Sequence, residues 1–302
     1  METIFRSPDT SSVVVGVDGS AQARSAALWA AGEAARRSRP LHVVYGSDSD
    51  LRILFQSAEA IERTRAAGRD LLDDTVKAVA AECPGLHVTT EFSRADAVTS
   101  LRQAAGPHGT IVVGDRGRGG FDSLMLGSVG LNIAAMARAP VVVVRGTDDA
   151  EERGSVLVAV RDEHDLMCAR YAAREAELRK ASLRLLHVWN LLRSVGDVVT
   201  MLDGMNEIAG RHEEALRALT GTIRDEFPGL TIAGDAEKSA SVAGVLAEAS
   251  RQADLLVMGG RRAHAPLGLG RNLGRVTHTL LHHAHCPVLF IPRFGSDLGA
   301  SS

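Results

Sequence analysis

The stretch Ser12-Val13-Val14-Val15-Gly16-Val17-Asp18-Gly19-Ser20 decides how this chain folds. Val13 to Val17 is an unbroken apolar run of strand length. A strand without polar alternation is covered on both faces, which is the situation in a parallel sheet. The run stops at Asp18-Gly19-Ser20, residues that turn a chain and cap a helix, and Ala21–Ser38 follows with helical periodicity. The stretch then occurs a second time, as Ser155-Val156-Leu157-Val158-Ala159-Val160-Arg161.

Four further matches follow in the same order. Leu41-His42-Val43-Val44-Tyr45 resembles Leu186-His187-Val188-Trp189, and Glu82-Cys83-Pro84-Gly85-Leu86 resembles Glu226-Phe227-Pro228-Gly229-Leu230. Ile111-Val112-Val113-Gly114 resembles Leu256-Val257-Met258-Gly259, and Pro140–Val144 resembles Pro287–Ile291. A spacing that stays near about 145 residues marks two tandem copies of one domain. The expected domains are 1–148 and 149–302, joined within Gly146–Gly154.

The first copy alternates strands and helices. Strands are expected at Val13–Val17, Leu41–Tyr45, Leu86–Phe92, Ile111–Val113 and Val141–Val144. Helices are expected at Ala21–Ser38, Glu59–Ala81, Asp96–Ala105 and Ser128–Arg138. This alternation predicts an α/β fold, two tandem doubly wound domains each with a five-stranded parallel sheet. Such sheets bind ligands beyond the carboxyl ends of their strands, where the strand order reverses. The residues just after Val17 and Val113 are therefore the ones to read.

Composition excludes several classes. The 302 residues are 45% hydrophobic and 24% charged, a globular balance, with a net charge of −3. No overall basic field is present to hold nucleic acid by counterion release. No apolar run approaches the roughly 20 residues that span a bilayer, and the polar Met1–Ser12 is not expected to be a secretory signal. Cys83, Cys168 and Cys286 are odd in number and far apart, so they read as inert thiols in a reducing compartment.

After the fourth strand comes Gly114-Asp115-Arg116-Gly117-Arg118-Gly119-Gly120, and Gly127-Ser128-Val129 opens the next helix. Glycines let backbone approach a ligand with no Cβ in the way. A helix N-terminus adds unpaired N–H groups and partial positive charge. Together they suit phosphates. Ser128 offers a hydroxyl and an N–H to a terminal phosphate, and Arg116 and Arg118 offer charge. The same residues also fit a plain surface loop with Ser128 as its helix cap. Asp18, at the end of the first strand, can accept from ribose hydroxyls or an exocyclic amine, help hold a metal, or simply cap the next helix. The Gly-x-x-x-x-Gly-Lys-Ser/Thr spacing of a P-loop does not occur, and no Gly-x-Gly-x-x-Gly follows the first strand.

Val-Gly-x-Asp-x-Ser at the first strand, with Gly114-x-x-Gly117, nine residues and then Gly127-Ser128, resembles the universal stress protein family. His283-Ala284-His285-Cys286-Pro287-Val288 extends the likeness into the second copy. The resemblance implies a Rossmann-like superfold, ATP as ligand, with Mg as a companion ion, and a regulatory role in stress response or growth arrest. It also implies a cytoplasmic homodimer with an unidentified protein partner, while the charge balance and the lack of a spanning apolar run lead us to expect no binding of nucleic acid or membrane. The triphosphate is expected on Gly114, Asp115, Arg116, Gly117, Arg118, Gly119, Gly120, Gly127, Ser128 and Val129. Adenosine is expected near Gly16, Asp18, Val43 and Val44. The sequence departs from the family at Ser93-Arg94-Ala95, where a glycine is often found. The competing readings are a nucleotide-free interaction scaffold and an adenylyl-transferring enzyme of the same superfold. At most, slow hydrolysis or autophosphorylation is expected, with Ser128 the first acceptor to test.

The second copy has different chemistry at these positions. Arg161 stands for Asp18, Arg262 for Gly117, and Gly274-Arg275 for Gly127-Ser128. Arginine has donors only, so the second copy is not expected to bind ATP as the first does. His278 and His282 have zinc-compatible spacing, but no HExxH glutamate is present and the segment aligns with Leu131–Arg138, so no metal site is expected.

Overall fold

The computed structural model describes residues 12–49, 57–106, 108–117, 127–136, 138–145, 152–190, 202–260 and 274–292. These divide into two compact units, 12–145 and 152–292. Of the expected linker Gly146–Gly154, residues 146–151 lie outside the described residues.

In the first unit, β1 (Val13–Gly16), β2 (Leu41–Gly46), β3 (Val88–Ser93), β4 (Thr110–Gly114) and β5 (Val141–Val144) form a parallel sheet in the order β3-β2-β1-β4-β5. The helices between them are α1 (Ala21–Arg36), α2 (Ala58–Glu82), α3 (Ala97–Ala105) and α4 (Ser128–Met136). The order runs outward from β1 in one direction through β2 and β3, and in the other through β4 and β5. The reversal, and hence the expected binding crevice, lies between the ends of β1 and β4.

The central strands are buried as the apolar runs require: Val13, Val14, Val15, Val112 and Val143 have no exposure. Helix α1 lies close on the sheet because its inner face is built from Ala23, Ala26, Ala27, Ala30, Ala31 and Ala34. Ser20 starts it, accepting the Ala23 N–H at 3.1 Å. Among these alanines sits a buried Glu33, whose carboxylate meets Arg37 at 2.6 Å and Arg36 at 3.6 Å.

The second unit repeats the plan with β6 (Ser155–Val160), β7 (Ser182–Trp189), β8 (Ile232–Lys238), β9 (Leu255–Gly259) and β10 (Val288–Ile291), ordered β8-β7-β6-β9-β10 and parallel. Its helices are α5 (Leu166–Arg179), α6 (Leu202–Glu226), α7 (Val242–Ala249) and α8 (Arg275–His283). The buried pair recurs as Glu175 with Arg179.

The strand register corrects one of the five matches. Gly16 lies beside Val44, and its counterpart Ala159 lies beside Leu186. Val44 therefore corresponds to Leu186 and Tyr45 to His187. The Leu-His-Val likeness of the two second strands is out of step, because strands made of the same few apolar residues align by chance in more than one frame.

The same register exposes an exchange of volumes. Tyr45 pairs with Phe92 on β3, their rings 5.6 Å apart, and a Cβ on Gly68 of α2 would strike both. In the second unit the counterpart of Phe92 is Ala236, and that of Gly68 is His212. The ring comes from the strand in one unit and from the helix in the other.

Candidate functional site

In the first unit the turn Asp18-Gly19-Ser20 links β1 to α1, with Gly19 at φ 84°. The Asp18 carboxylate accepts the Ser20 N–H at 2.9 Å and the Ser20 hydroxyl at 2.6 Å through one oxygen. Its other oxygen faces Gly117, where an added Cβ would collide with it. Residues far apart in sequence thus meet at the point where strand order reverses. Gly114 ends β4 against the first turn of α1, its hypothetical Cβ 2.7 Å from the Gln22 carbonyl oxygen.

The two ends of the glycine loop also meet. Gly127 donates its N–H to the Asp115 carbonyl at 2.9 Å, and Asp115 donates to the Val144 carbonyl at 3.1 Å. A Cβ on Gly127 would be 3.6 Å from the Gly117 nitrogen. The N-terminus of α4, with Ser128 exposed and Val129 half-buried, is thereby held over Arg116 and Gly117. Arg118, Gly119 and Gly120 lie outside the described residues. The Asp115 carboxylate sits 3.8 Å from both Arg116 and Arg145. Burial pulls the Arg145 guanidinium below its ordinary range, Asp115 opposes this, and Arg116 adds to it.

The β2 positions are placed differently from the loop. Val43 and Val44 are core side chains, 0% and 1% exposed. The Val44 carbonyl is taken by the Val17 N–H at 3.0 Å. Gly16 is packed under Leu101. Beyond β2, the chain is stitched to the segment that departs from the family pattern: Ser47 donates to the Ser93 carbonyl at 2.9 Å, Asp48 to Ala95 at 3.2 Å and Ser49 to Arg94 at 2.9 Å.

The second unit's crevice is built otherwise. Arg161 follows β6, and Gly260 follows β9, donating to the Ile291 carbonyl at 2.8 Å as Asp115 does to Val144. The Arg161 side chain reaches Gly260 across the crevice, and its charge is matched by Asp165. Arg262 lies outside the described residues. Gly274 precedes α8 without a side-chain cap, and Arg275 opens the helix.

Beside this crevice stands a group not singled out from the sequence. His187 Nδ1 is 2.9 Å from the Val160 carbonyl, which can only accept, so that nitrogen carries a proton. In the neutral pair, His187 Nε2 then accepts from His212 Nδ1, 2.8 Å away. The His212 ring stacks on Trp189 at 4.7 Å. Burial, then His187 and Arg211, hold His212 below the usual imidazole range. His212 reaches His187 from α6, a helix-to-strand contact that the spacing of the two residues does not signal. Among the described residues, no three His, Cys, Asp or Glu side chains converge as metal ligands. No helix among them is long and apolar enough to cross a membrane.

Comparison with known proteins adds an independent line. The model of the universal stress protein family matches residues 10–145 and again 152–292. A universal stress protein of Mycolicibacterium smegmatis is 30% identical over 293 residues, covering 92% of this chain and 96% of its own. One of Mycobacterium tuberculosis is 30% identical over 292 residues, covering 95% and 98%. Among solved structures, a universal stress protein from Archaeoglobus fulgidus shares the fold with a TM-score of 0.70 at 17% identity, covering 95% of this chain and 98% of that one. A protein from Pseudomonas aeruginosa scores 0.61 at 18% identity, covering 94% and 93%.

Proposed function

The chain belongs to the universal stress protein family, and on that premise we propose that it is an ATP-binding regulatory protein with its nucleotide in the first unit. The observation that carries this reading is the meeting of Asp18 with Gly117 at the crevice, under the N-terminus of α4. The crevice supplies what a nucleotide needs: an acceptor at one end, and backbone with no Cβ beside a helix N-terminus at the other. Asp18 takes the role of acceptor for ribose hydroxyls or the exocyclic amine. Gly114 to Gly120, Gly127 and Ser128 serve the triphosphate, with Arg116 and Arg118 balancing charge and Mg as its counter-ion. Because Val43 and Val44 are buried in a strand paired on both sides, they are assigned only a packing role beneath the adenosine. A role in stress response or growth arrest, a cytoplasmic location and homodimer assembly belong to the same proposal.

The test is ATP binding by the purified chain and two variants. Asp18→Ala removes a charged acceptor and is expected to weaken binding about ten- to 150-fold, the equivalent of roughly 1.5–3 kcal/mol. Gly117→Arg places a side chain where Asp18 now lies and is expected to abolish binding, with little change in fold. Wild-type affinity in both variants would refute the proposal. Labelled ATP recovered as pyrophosphate and a modified product would favour adenylyl transfer instead.

A further inference from the structure

We infer that the second unit is closed to nucleotide from within by Arg161, so that the chain takes one ATP and not two. The count rests on the reading of the first unit; the closure rests on the second unit alone.

Arg161 occupies the place of Asp18, just beyond the first strand of its unit. It is fixed at both ends. Its backbone N–H donates to one Asp165 oxygen at 2.9 Å, and its Nε donates to the same oxygen at 3.1 Å. Its Nη2 donates to the other Asp165 oxygen at 3.2 Å and to the Gly260 carbonyl at 3.2 Å. The side chain therefore runs from the end of β6 to the residue after β9. In the first unit the corresponding span runs from Asp18 to Asp115, two residues before Gly117.

The anchor is built for this contact. Asp165 has no exposure. It stands at the N-cap of α5, yet it makes no capping bond there, whereas Ser20 caps α1. Its carboxylate is turned to Arg161 instead. The turn is longer to allow this, with a short 3-10 turn at Glu163–Asp165 where the first unit has only Asp18-Gly19-Ser20. A buried carboxylate paired with a bidentate guanidinium is a strong, oriented contact. The Arg161 side chain is 49% exposed, so it stands in the mouth of the crevice rather than in the core. Its charge is matched by Asp165 and three of its donors are used. It therefore blocks the crevice without presenting a free cation to phosphate.

Two measurements on the full chain separate this inference from the function proposed above. The first is equilibrium dialysis with labelled ATP. One ATP per wild-type chain and none in Gly117→Arg support the inference. Two per wild-type chain, or one retained by Gly117→Arg, overturn it. The second needs no nucleotide. Arg161→Met leaves a buried carboxylate without its cation, and the unfolding midpoint is expected to fall by about 3–8 °C. An unchanged midpoint means the guanidinium is not seated, and overturns the closure. A wild-type chain that binds no ATP, with the midpoint falling in Arg161→Met, would sink the function and leave the closure supported.

Discussion

Gly114→Ala tests how tightly the crevice is built. The added Cβ would sit 2.7 Å from the Gln22 carbonyl oxygen, 2.8 Å from its carbon and 3.2 Å from the Ala23 nitrogen. All three are backbone atoms, so no side chain can swing aside. Carbon atoms pack comfortably at about 3.5 Å or more, so β4 and α1 must separate by roughly 0.7 Å. The alanines beneath α1 leave no slack, since Ala26 and Ala30 have no exposure. With two backbone contacts below 3.0 Å the cost lies in the upper part of the roughly 1–3 kcal/mol that overpacking takes, and an offset of about 1 kcal/mol from the less flexible unfolded chain leaves about 1–2 kcal/mol. At roughly 3–5 °C per kcal/mol for a unit of this size, the midpoint should fall by about 3–10 °C. Gly127→Ala is the control: its Cβ would find ordinary contacts at 3.6 Å and 3.8 Å, and its midpoint should stay within about 1 °C. Thermal unfolding by circular dichroism reads both. Equal midpoints in Gly114→Ala, Gly127→Ala and wild type would refute the close approach of β4 to α1.

Arg37→Met strips the nearer partner from a Glu33 side chain that is 1% exposed. With Arg36 still at 3.6 Å, the loss is expected at about 2–4 kcal/mol by denaturant titration. His212 is held below the usual value of 6.5, first by burial. Below that pH the unfolded chain takes up a proton that the folded chain resists, so the second unit should lose stability as pH falls beneath 6.5 and level off once the folded imidazole is charged. Chemical denaturation across pH should show this slope, and His212→Phe should flatten it. Burial pushes the Cys168 and Cys286 thiols up to about 12, while Cys83 is half-buried. A thiol reagent at pH 8 should therefore label Cys83 in the native chain and all three cysteines after unfolding.

The fold was legible because the valine runs are buried on both faces, and their repetition fixed the number of units. Helix ends agreed to within two residues where a cap marked them, as Ser20 does for α1 and Asp96 for α3. The family motif also located Asp18 and Gly117 before either could be seen beside the other. What the sequence hid depends on elements set side by side. Asp165 reads as an ordinary cap until the fold buries it and turns it toward Arg161. The second-strand likeness is out of step because the apolar residues on either side of His42 and His187 carry no frame, and His212 meets His187 only once α6 packs on its sheet.

The exchange of Phe92 and Gly68 for Ala236 and His212 bears on how these units can be recombined. A chimera that transplanted α6 into the first unit would drive an imidazole into a ring already seated on β3. The reciprocal graft, α2 into the second, would leave a hollow over Ala236 and strip Trp189 of its stacking partner. Each long helix is keyed to its own sheet, so a graft at this seam requires strand and helix to be swapped together.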